Sequence, residues 1–146
     1  TVEENLRMGL YLNPDVWDER LAVVHELFPV LADRGDQRAG FMSGGERQML
    51  AMGRALMMDP DVLLLDEPSA GLSPANQDLV FERVRGICDS GVSIVMVEQN
   101  ARRCLQICDR AYVLDQGKNA YSGSGPELLH DPKIIDLYLG TLGRPE

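Results

Sequence analysis

Two short apolar runs on either side of a helix-like segment constrain the fold more than any other feature of this 146-residue chain. Residues 62–65 are apolar at every position, and residues 92–97 are apolar except for Ser93. Between them, Val80, Val84 and Ile87 have the spacing of one helix face. Strands without polar alternation are typical of parallel sheets covered on both faces by helices. The sequence therefore predicts a β-α-β unit and an α/β fold.

Helical patterns dominate the residues before this unit. Thr1 and Glu4 have the spacing of a capping box, which predicts a first helix directly after Thr1. Asp15 is predicted to cap a second helix, and a further helix is predicted from residue 46 to residue 58. This part of the chain therefore has the pattern of an all-α unit.

After the β-α-β unit, two short runs over residues 111–123 have the pattern of a hairpin. Amphipathic helices are predicted over residues 126–129 and 134–142. The order of elements predicts a helical subdomain over residues 1–59, joined to a parallel-sheet core over residues 60–146.

The composition excludes several kinds of partner and site. A net charge of −9 argues against a nucleic-acid surface, because phosphate backbones are bound by clustered Lys and Arg. No run approaches the roughly 20 apolar residues of a membrane span, so we expect a cytosolic location. Cys88, Cys104 and Cys108 are interpreted as buried free thiols rather than metal ligands, since no His or further Cys lies at ligand spacing.

The motif at residues 43–46 has two interpretations. Ser43 and Glu46 have the spacing of a capping box, which alone accounts for a helix start. A capping box does not account for Gly44 and Gly45, because a better helix former would stabilise each position by roughly 1 kcal/mol. A helix tip without side chains, next to a serine hydroxyl, is suited to binding phosphate.

Two adjacent carboxylates, Asp66 and Glu67, follow the first apolar run directly. Such a pair can be the solvated end of a strand. However, ligands of open α/β folds bind at the carboxyl ends of parallel strands. Because Pro68 follows this pair and the 43–46 motif lies one helix upstream, the sequence favours a ligand-binding role.

Taken together, these motifs make the chain resemble the second half of an ABC transporter ATPase subunit. Residues 43–48 resemble the signature motif, with Met42 where Leu is usual, and residues 62–66 resemble the Walker B strand. Glu67 occupies the position of the catalytic glutamate. The resemblance implies a partial P-loop NTPase core with a parallel sheet and an α-helical signature subdomain. It implies nucleotide contacts from the signature residues Ser43, Gly44, Gly45, Glu46 and Gln48 and from the D-loop residues Ser69, Ala70, Gly71, Leu72 and Ser73, the last of which is Asp in many relatives.

Residue 99 departs from the usual family pattern and indicates a particular group within the family. The position after Glu98 is usually a histidine that contacts the γ-phosphate, and here it is Gln99. The run "VEQNA" resembles the second ATPase of branched-chain amino-acid and urea-type importers. The resemblance implies that Gln99 positions the phosphate by a hydrogen bond, without a charge or a proton to transfer.

The resemblance also implies cofactors, partners and a location. Asp66 would hold Mg²⁺ through water, and Glu67 would orient or deprotonate the water that attacks the γ-phosphate of ATP. The signature residues would bind a nucleotide held mainly by a second ABC ATPase subunit. Transmembrane permease subunits would place the protein at the inner face of the plasma membrane.

The sequence contains no GxxxxGK[ST] loop, which normally cradles the β- and γ-phosphates. We therefore expect the chain to be a fragment that binds ATP weakly or not at all. Leu63, Leu65 and Val95 are predicted to lose their covering elements and become exposed, which would make the fragment self-associate.

Two other functions fit parts of the sequence. The chain could be a non-catalytic interaction module that docks a permease or a sister ATPase without turnover. The ABC-type ATPases of chromosome maintenance and repair share the signature and Walker B features, but they carry long coiled coils, and no heptad array occurs in this sequence.

Overall fold

A computed structural model describes residues 1–11 and 13–139 of the chain. The chain divides into two compact units, of which the first is Thr1–Val97 and the second begins at Glu98. The first unit contains the helices α1 (Val2–Gly9), α2 (Trp17–Leu27), α3 (Pro29–Asp33), α4 (Gly44–Leu56) and α5 (Pro74–Asp89) and the strands β1 (Val62–Asp66) and β2 (Ser93–Val97). The second contains α6 (Ala101–Ile107), β3 (Ala111–Asp115), β4 (Lys118–Gly123), α7 (Gly125–His130) and α8 (Pro132–Ile134).

The helices α1 to α4 pack around one apolar core in the first unit. A side chain on Gly9 of α1 would collide with the Arg54 carbonyl and with Met57, so the glycine permits the close approach of α1 to α4. A side chain on Gly53 of α4 would lie 3.0 Å from Leu31. The residues that fill this core are Val2, Leu6, Val24, Phe28, Leu31, Met49, Met52 and Leu56.

The capping boxes at Thr1 and Ser43 are both present, whereas the predicted cap of α2 is not. The predicted capping box at Thr1 is confirmed, because its side chain accepts from the Glu4 N–H. The prediction that Asp15 caps α2 is wrong, since Asp15 lies in the 3₁₀ segment Pro14–Val16 and Val16 takes the capping position. The helix predicted from residue 46 is α4, which begins at Gly44 and ends at Leu56, two residues earlier at each end than predicted.

The predicted β-α-β unit is confirmed. β1 and β2 pair in parallel, with Leu64 opposite Val95 and Asp66 opposite Val97, and α5 connects them. Parallel pairing requires a crossover of this kind. The α/β class is therefore confirmed, while the functional division between residues 59 and 60 stays a prediction.

The residues exposed on the β1–β2 pair differ in part from those predicted. Leu63 was expected to be exposed, but only 7% of it is, and Leu65 is half-buried. The prediction for Val95 is confirmed, since it is 59% exposed, and Leu64, which is 74% exposed, lies on the same face. Side chains alternate between the faces of a strand, so Leu63 and Leu64 cannot share an environment. Val62 and Val97 complete this face, which is called the open sheet face below.

The second unit has its own small core of Leu105, Leu128 and Ile134. The predicted hairpin is confirmed as the antiparallel pair β3–β4, with a register shift at Val113/Leu114. The helix predicted over residues 126–129 is α7. The helix predicted over residues 134–142 corresponds to the end of α8 and the π-helix Ile135–Leu139 that follows it, and residues 140–142 lie outside the described part.

The three cysteines are free thiols, and each is half-buried rather than buried. Across the described part of the chain, no three Cys, His, Asp or Glu side chains cluster in a way that could ligate a metal ion. Within residues 1–11 and 13–139, none of the helices combines the length and apolar character that crossing a bilayer requires.

Candidate functional site

The start of α4 is closed by a reciprocal capping box. Ser43 Oγ accepts from the Glu46 N–H at 3.3 Å, and Glu46 Oε2 accepts from the Ser43 N–H at 2.8 Å. The bond from the Ser43 N–H is the main reason why the pKa of the Glu46 carboxyl is below its usual value. Ser43 itself is exposed, and Gly44, Glu46 and Gln48 are half-buried. The helix therefore presents a hydroxyl and a charged carboxylate at its tip.

The two glycines at this tip lie against the segment that follows β1. A Cβ on Gly44 would lie 3.2 Å from Leu72 Cδ2, and a Cβ on Gly45 would lie 2.9 Å from Asn76 Cγ. A real Cβ essentially never approaches another heavy atom to within 3.0 Å, so packing alone favours glycine at the buried position 45. The bare backbone inferred from the sequence thus has an intramolecular partner. The contact of Gly44 with Leu72 joins two of the predicted motifs, the signature and the D-loop.

Glu67, the residue after β1, has a backbone conformation that is unusual for residues other than glycine. Glu67 has φ of +44°, in the left-handed region. Its N–H donates to the Val97 carbonyl at 2.8 Å, and its own carbonyl accepts from the Ala70 N–H at 3.0 Å. A non-glycine residue here costs of order 1–3 kcal/mol, and such residues cluster at active sites. Glu67 is therefore held at the strand end with an exposed carboxylate.

The predicted D-loop is a turn fixed by one glutamine. Gln77 Nε2 on α5 donates to the Ser69 carbonyl at 3.4 Å and to the Leu72 carbonyl at 3.3 Å. Gly71 has φ of +70°, which favours glycine. Ser69 is only 2% exposed, whereas Ala70, Gly71 and Ser73 are exposed and Leu72 is half-buried. The loop is thereby anchored at both ends with an open tip.

The remaining predicted residues lie at strand ends. Asp66 is exposed at the end of β1, beside Glu67. Gln99 is exposed and belongs to the second unit, just before α6. The first unit thus contains all the predicted site residues except Gln99.

The donor set at Asp66 fits a Mg²⁺ ion that is held mainly by a nucleotide. Protein-bound Mg²⁺ usually keeps several waters and takes one or two carboxylates, with substrate phosphates supplying other ligands. Asp66 and Glu67 provide two carboxylates at one strand end. Carboxylates at a strand end are suited to a Mg²⁺ ion whose other ligands are phosphate oxygens and waters.

Three residues that shape this region were not predicted from the sequence. Asn76 packs on Gly45, Gln77 holds the loop, and Arg34 pairs with Glu46 at 3.0 Å. Asn76 and Gln77 follow Pro74 in the first turn of α5, a position that marks them as neighbours of the loop. No local signal links Arg34 to Glu46, because α3 and α4 come together only in the folded chain.

Comparisons with known proteins agree with this geometry. The family described as "ABC transporter" matches residues 1–70. The "High-affinity branched-chain amino acid transport ATP-binding protein BraG" of Pseudomonas aeruginosa is 50% identical over 141 residues, which cover 96% of this chain and 60% of that protein. The "Probable branched-chain amino acid transport ATP-binding protein LivF" of Archaeoglobus fulgidus is 42% identical, and the match covers 97% of this chain and 61% of that protein. The chain belongs to the ABC transporter ATP-binding family.

Solved structures of this family support the fold assignment. A nucleotide-free ATP-binding cassette from an ABC transporter matches with a TM-score of 0.75 and 27% identity, over 96% of this chain and 63% of that chain. The chain spans about three fifths of the length of the curated relatives that it matches. Its parallel sheet and helical unit therefore represent part of the P-loop ATPase core.

Proposed function

We propose that the chain is the larger part of an ATP-hydrolysing subunit of an ABC importer that takes up branched-chain amino acids. The observation that carries this proposal is the arrangement of the first unit, where a capped, glycine-tipped helix contacts the loop that follows an acidic strand end. The names of the P. aeruginosa and A. fulgidus relatives support the substrate class.

The proposed chemistry assigns separate roles to the two carboxylates of the strand end. Asp66 would hold Mg²⁺ through a water, and the bound ion would neutralise phosphate charge. Glu67 orients the attacking water or accepts its proton. The left-handed backbone of Glu67, held by bonds to Val97 and Ala70, supports this role because it fixes where the carboxylate leaves the strand.

The signature tip is proposed to bind the γ-phosphate of a nucleotide carried by a second ATPase subunit. Ser43 Oγ accepts from the Glu46 N–H, so its hydroxyl hydrogen is available to donate to a phosphate oxygen. Residues 69–73 are proposed to contact the same nucleotide across the subunit interface. For Gln99, the proposed role is a neutral hydrogen bond to phosphate. Permease subunits are the proposed membrane partners, which would place the protein at the inner face of the plasma membrane.

The 146-residue chain on its own is proposed to bind ATP weakly or not at all and to associate with a second copy through the open sheet face. Four apolar side chains lie exposed on this face, namely Val62, Leu64, Val95 and Val97. Exposed apolar strands with unpaired edges are templates for pairing with another chain.

The test restores the missing length and measures turnover. The chain is joined to the part of the P. aeruginosa relative that has no counterpart here, and Mg²⁺-dependent ATP hydrolysis is followed by phosphate release. Glu67→Gln should lower kcat about 100-fold or more, as expected for loss of a general base. The control is Glu82→Gln, which changes an exposed glutamate on α5 and should leave kcat unchanged.

The alternative function is a non-catalytic module that docks a permease or a sister ATPase. If the restored protein shows no turnover, or if Glu67→Gln leaves turnover unchanged, the docking module is the better account.

A further inference from the structure

The carboxylate of Glu46 is engaged on both oxygens. Oε2 accepts from the Ser43 N–H at 2.8 Å, and Oε1 pairs with Arg34 Nη2 at 3.0 Å. Arg34 follows directly after α3, and its Nη1 donates to Gln37 Oε1 at 3.3 Å. A chain of contacts therefore leads from α3 through Arg34 and Glu46 to the cap of α4.

A negative charge at this position raises a physical difficulty for the proposed function. A carboxylate is stabilised near a helix N-terminus by the helix dipole, and it repels a second anion brought to the same tip. The Ser43 N–H keeps the pKa of Glu46 below its usual value, so a proton does not remove this charge at neutral pH. A cation beside Glu46 would offset this charge.

Among the ion pairs within the described residues, the one that includes Glu46 is made with Arg34. The other arginine beside the tip, Arg47, turns its guanidinium back and donates from Nη1 to the Met42 carbonyl at 2.6 Å. The Glu46 side chain is 18% exposed and the Arg34 side chain is 40% exposed, so solvent screens the pair only in part. Arg34 is therefore the cation placed to offset the charge of Glu46.

We propose that Arg34 is a positioning residue for the signature tip, where it holds Glu46 in the capping box and offsets its charge so that Ser43 can face a phosphate. The proposal rests on the proposed function for the phosphate itself. Arg34 acts through Glu46 and does not touch the nucleotide.

The structural part is tested in the 146-residue chain by NMR. Arg34→Gln should speed hydrogen exchange of the Ser43 amide about 3- to 10-fold and leave the Leu50 amide, inside α4, within about twofold. Arg34→Lys keeps one cationic donor and should recover part of the protection. The control Arg7→Gln, which breaks the exposed Arg7–Glu3 pair on α1, should leave the Ser43 amide unchanged.

The functional part uses the restored full-length chain and a double-mutant cycle. Arg34→Gln should raise KM for MgATP about 3- to 10-fold, which corresponds to about 0.7–1.4 kcal/mol because a tenfold change is about 1.4 kcal/mol. In a Glu46→Gln background, which has no charge to offset, the same Arg34→Gln change should have little further effect on KM.

An unchanged Ser43 amide in Arg34→Gln would overturn the proposal, and so would an equal rise in KM with and without the Glu46 charge. Faster exchange at Ser43 and Leu50 alike would also overturn it, because it would show a general loss of stability. Failure of the proposed function is a separate result, seen as unchanged turnover in Glu67→Gln.

Discussion

Replacing Glu67 with glycine should stabilise the fold while removing the proposed catalytic group. Glu67 has φ of +44°, where an L-residue costs roughly 1–2 kcal/mol relative to the right-handed region. Glycine avoids this cost, but its freedom in the unfolded chain offsets about 0.4–1 kcal/mol. The Glu67 side chain is exposed, so little packing is lost, and its two backbone hydrogen bonds remain. The expected net gain is about 0.5–1 kcal/mol.

Urea unfolding at 25 °C measures this gain. With a slope of roughly 1–3 kcal/mol per molar, the midpoint for Glu67→Gly should rise by about 0.2–1 M. Gln116→Gly is the matched control, because Gln116 has φ of +47° at the exposed turn of the hairpin. Glu67→Ala should give no rise, since alanine keeps the backbone cost. A lower midpoint for Glu67→Gly, together with a higher one for Gln116→Gly, would refute the reasoning.

Three further predictions concern packing, pH and association. Gly45→Ala should destabilise the fold by about 1–3 kcal/mol, measured by urea unfolding, because the new Cβ would lie 2.9 Å from Asn76 Cγ. Adding Asn76→Ala should recover part of this loss, and no recovery would contradict the contact. Burial raises the pKa of the Cys104 thiol from 9.0 to about 11, so between pH 9 and 11 the thiol ionises more readily in the unfolded chain and the stability of the fold should decrease. Cys104→Ser should show a smaller fall in urea midpoint over that range, and an identical fall in both proteins would contradict this. Light scattering after size exclusion should show that Leu64→Lys, on the open sheet face, favours the monomer. The control Met8→Lys also changes an exposed apolar residue and should not favour the monomer. A monomeric parent chain would contradict the proposed association.

Local patterns predicted the elements well. The largely apolar runs identified β1 and β2 and their parallel pairing, because strands without regular polar alternation are typical of parallel sheets. The spacing of Thr1 with Glu4 and of Ser43 with Glu46 identified two helix starts, since a capping box depends on residues three positions apart.

Contacts between distant segments were not predictable in the same way. The sequence indicated that something approaches Gly45, but the partner, Asn76, lies 31 positions further along the chain. The sheet face was misassigned at Leu63, because a uniformly apolar strand does not show which of its alternating side chains a helix will cover. The left-handed backbone of Glu67 arises from hydrogen bonds to Val97 and Ala70, which no local propensity favours.

The central claim is that the tip at Ser43 and the carboxylates at Asp66 and Glu67 serve one nucleotide from opposite subunits. Mixing two inactive forms of the restored chain, Ser43→Glu and Glu67→Gln, tests it most directly. If the residues act across the interface, each mixed dimer regains one intact site, and ATP hydrolysis should recover to about a quarter of the unmodified rate with random pairing. If both residues act within one subunit, every site keeps a defect, and the mixture would stay as inactive as its components.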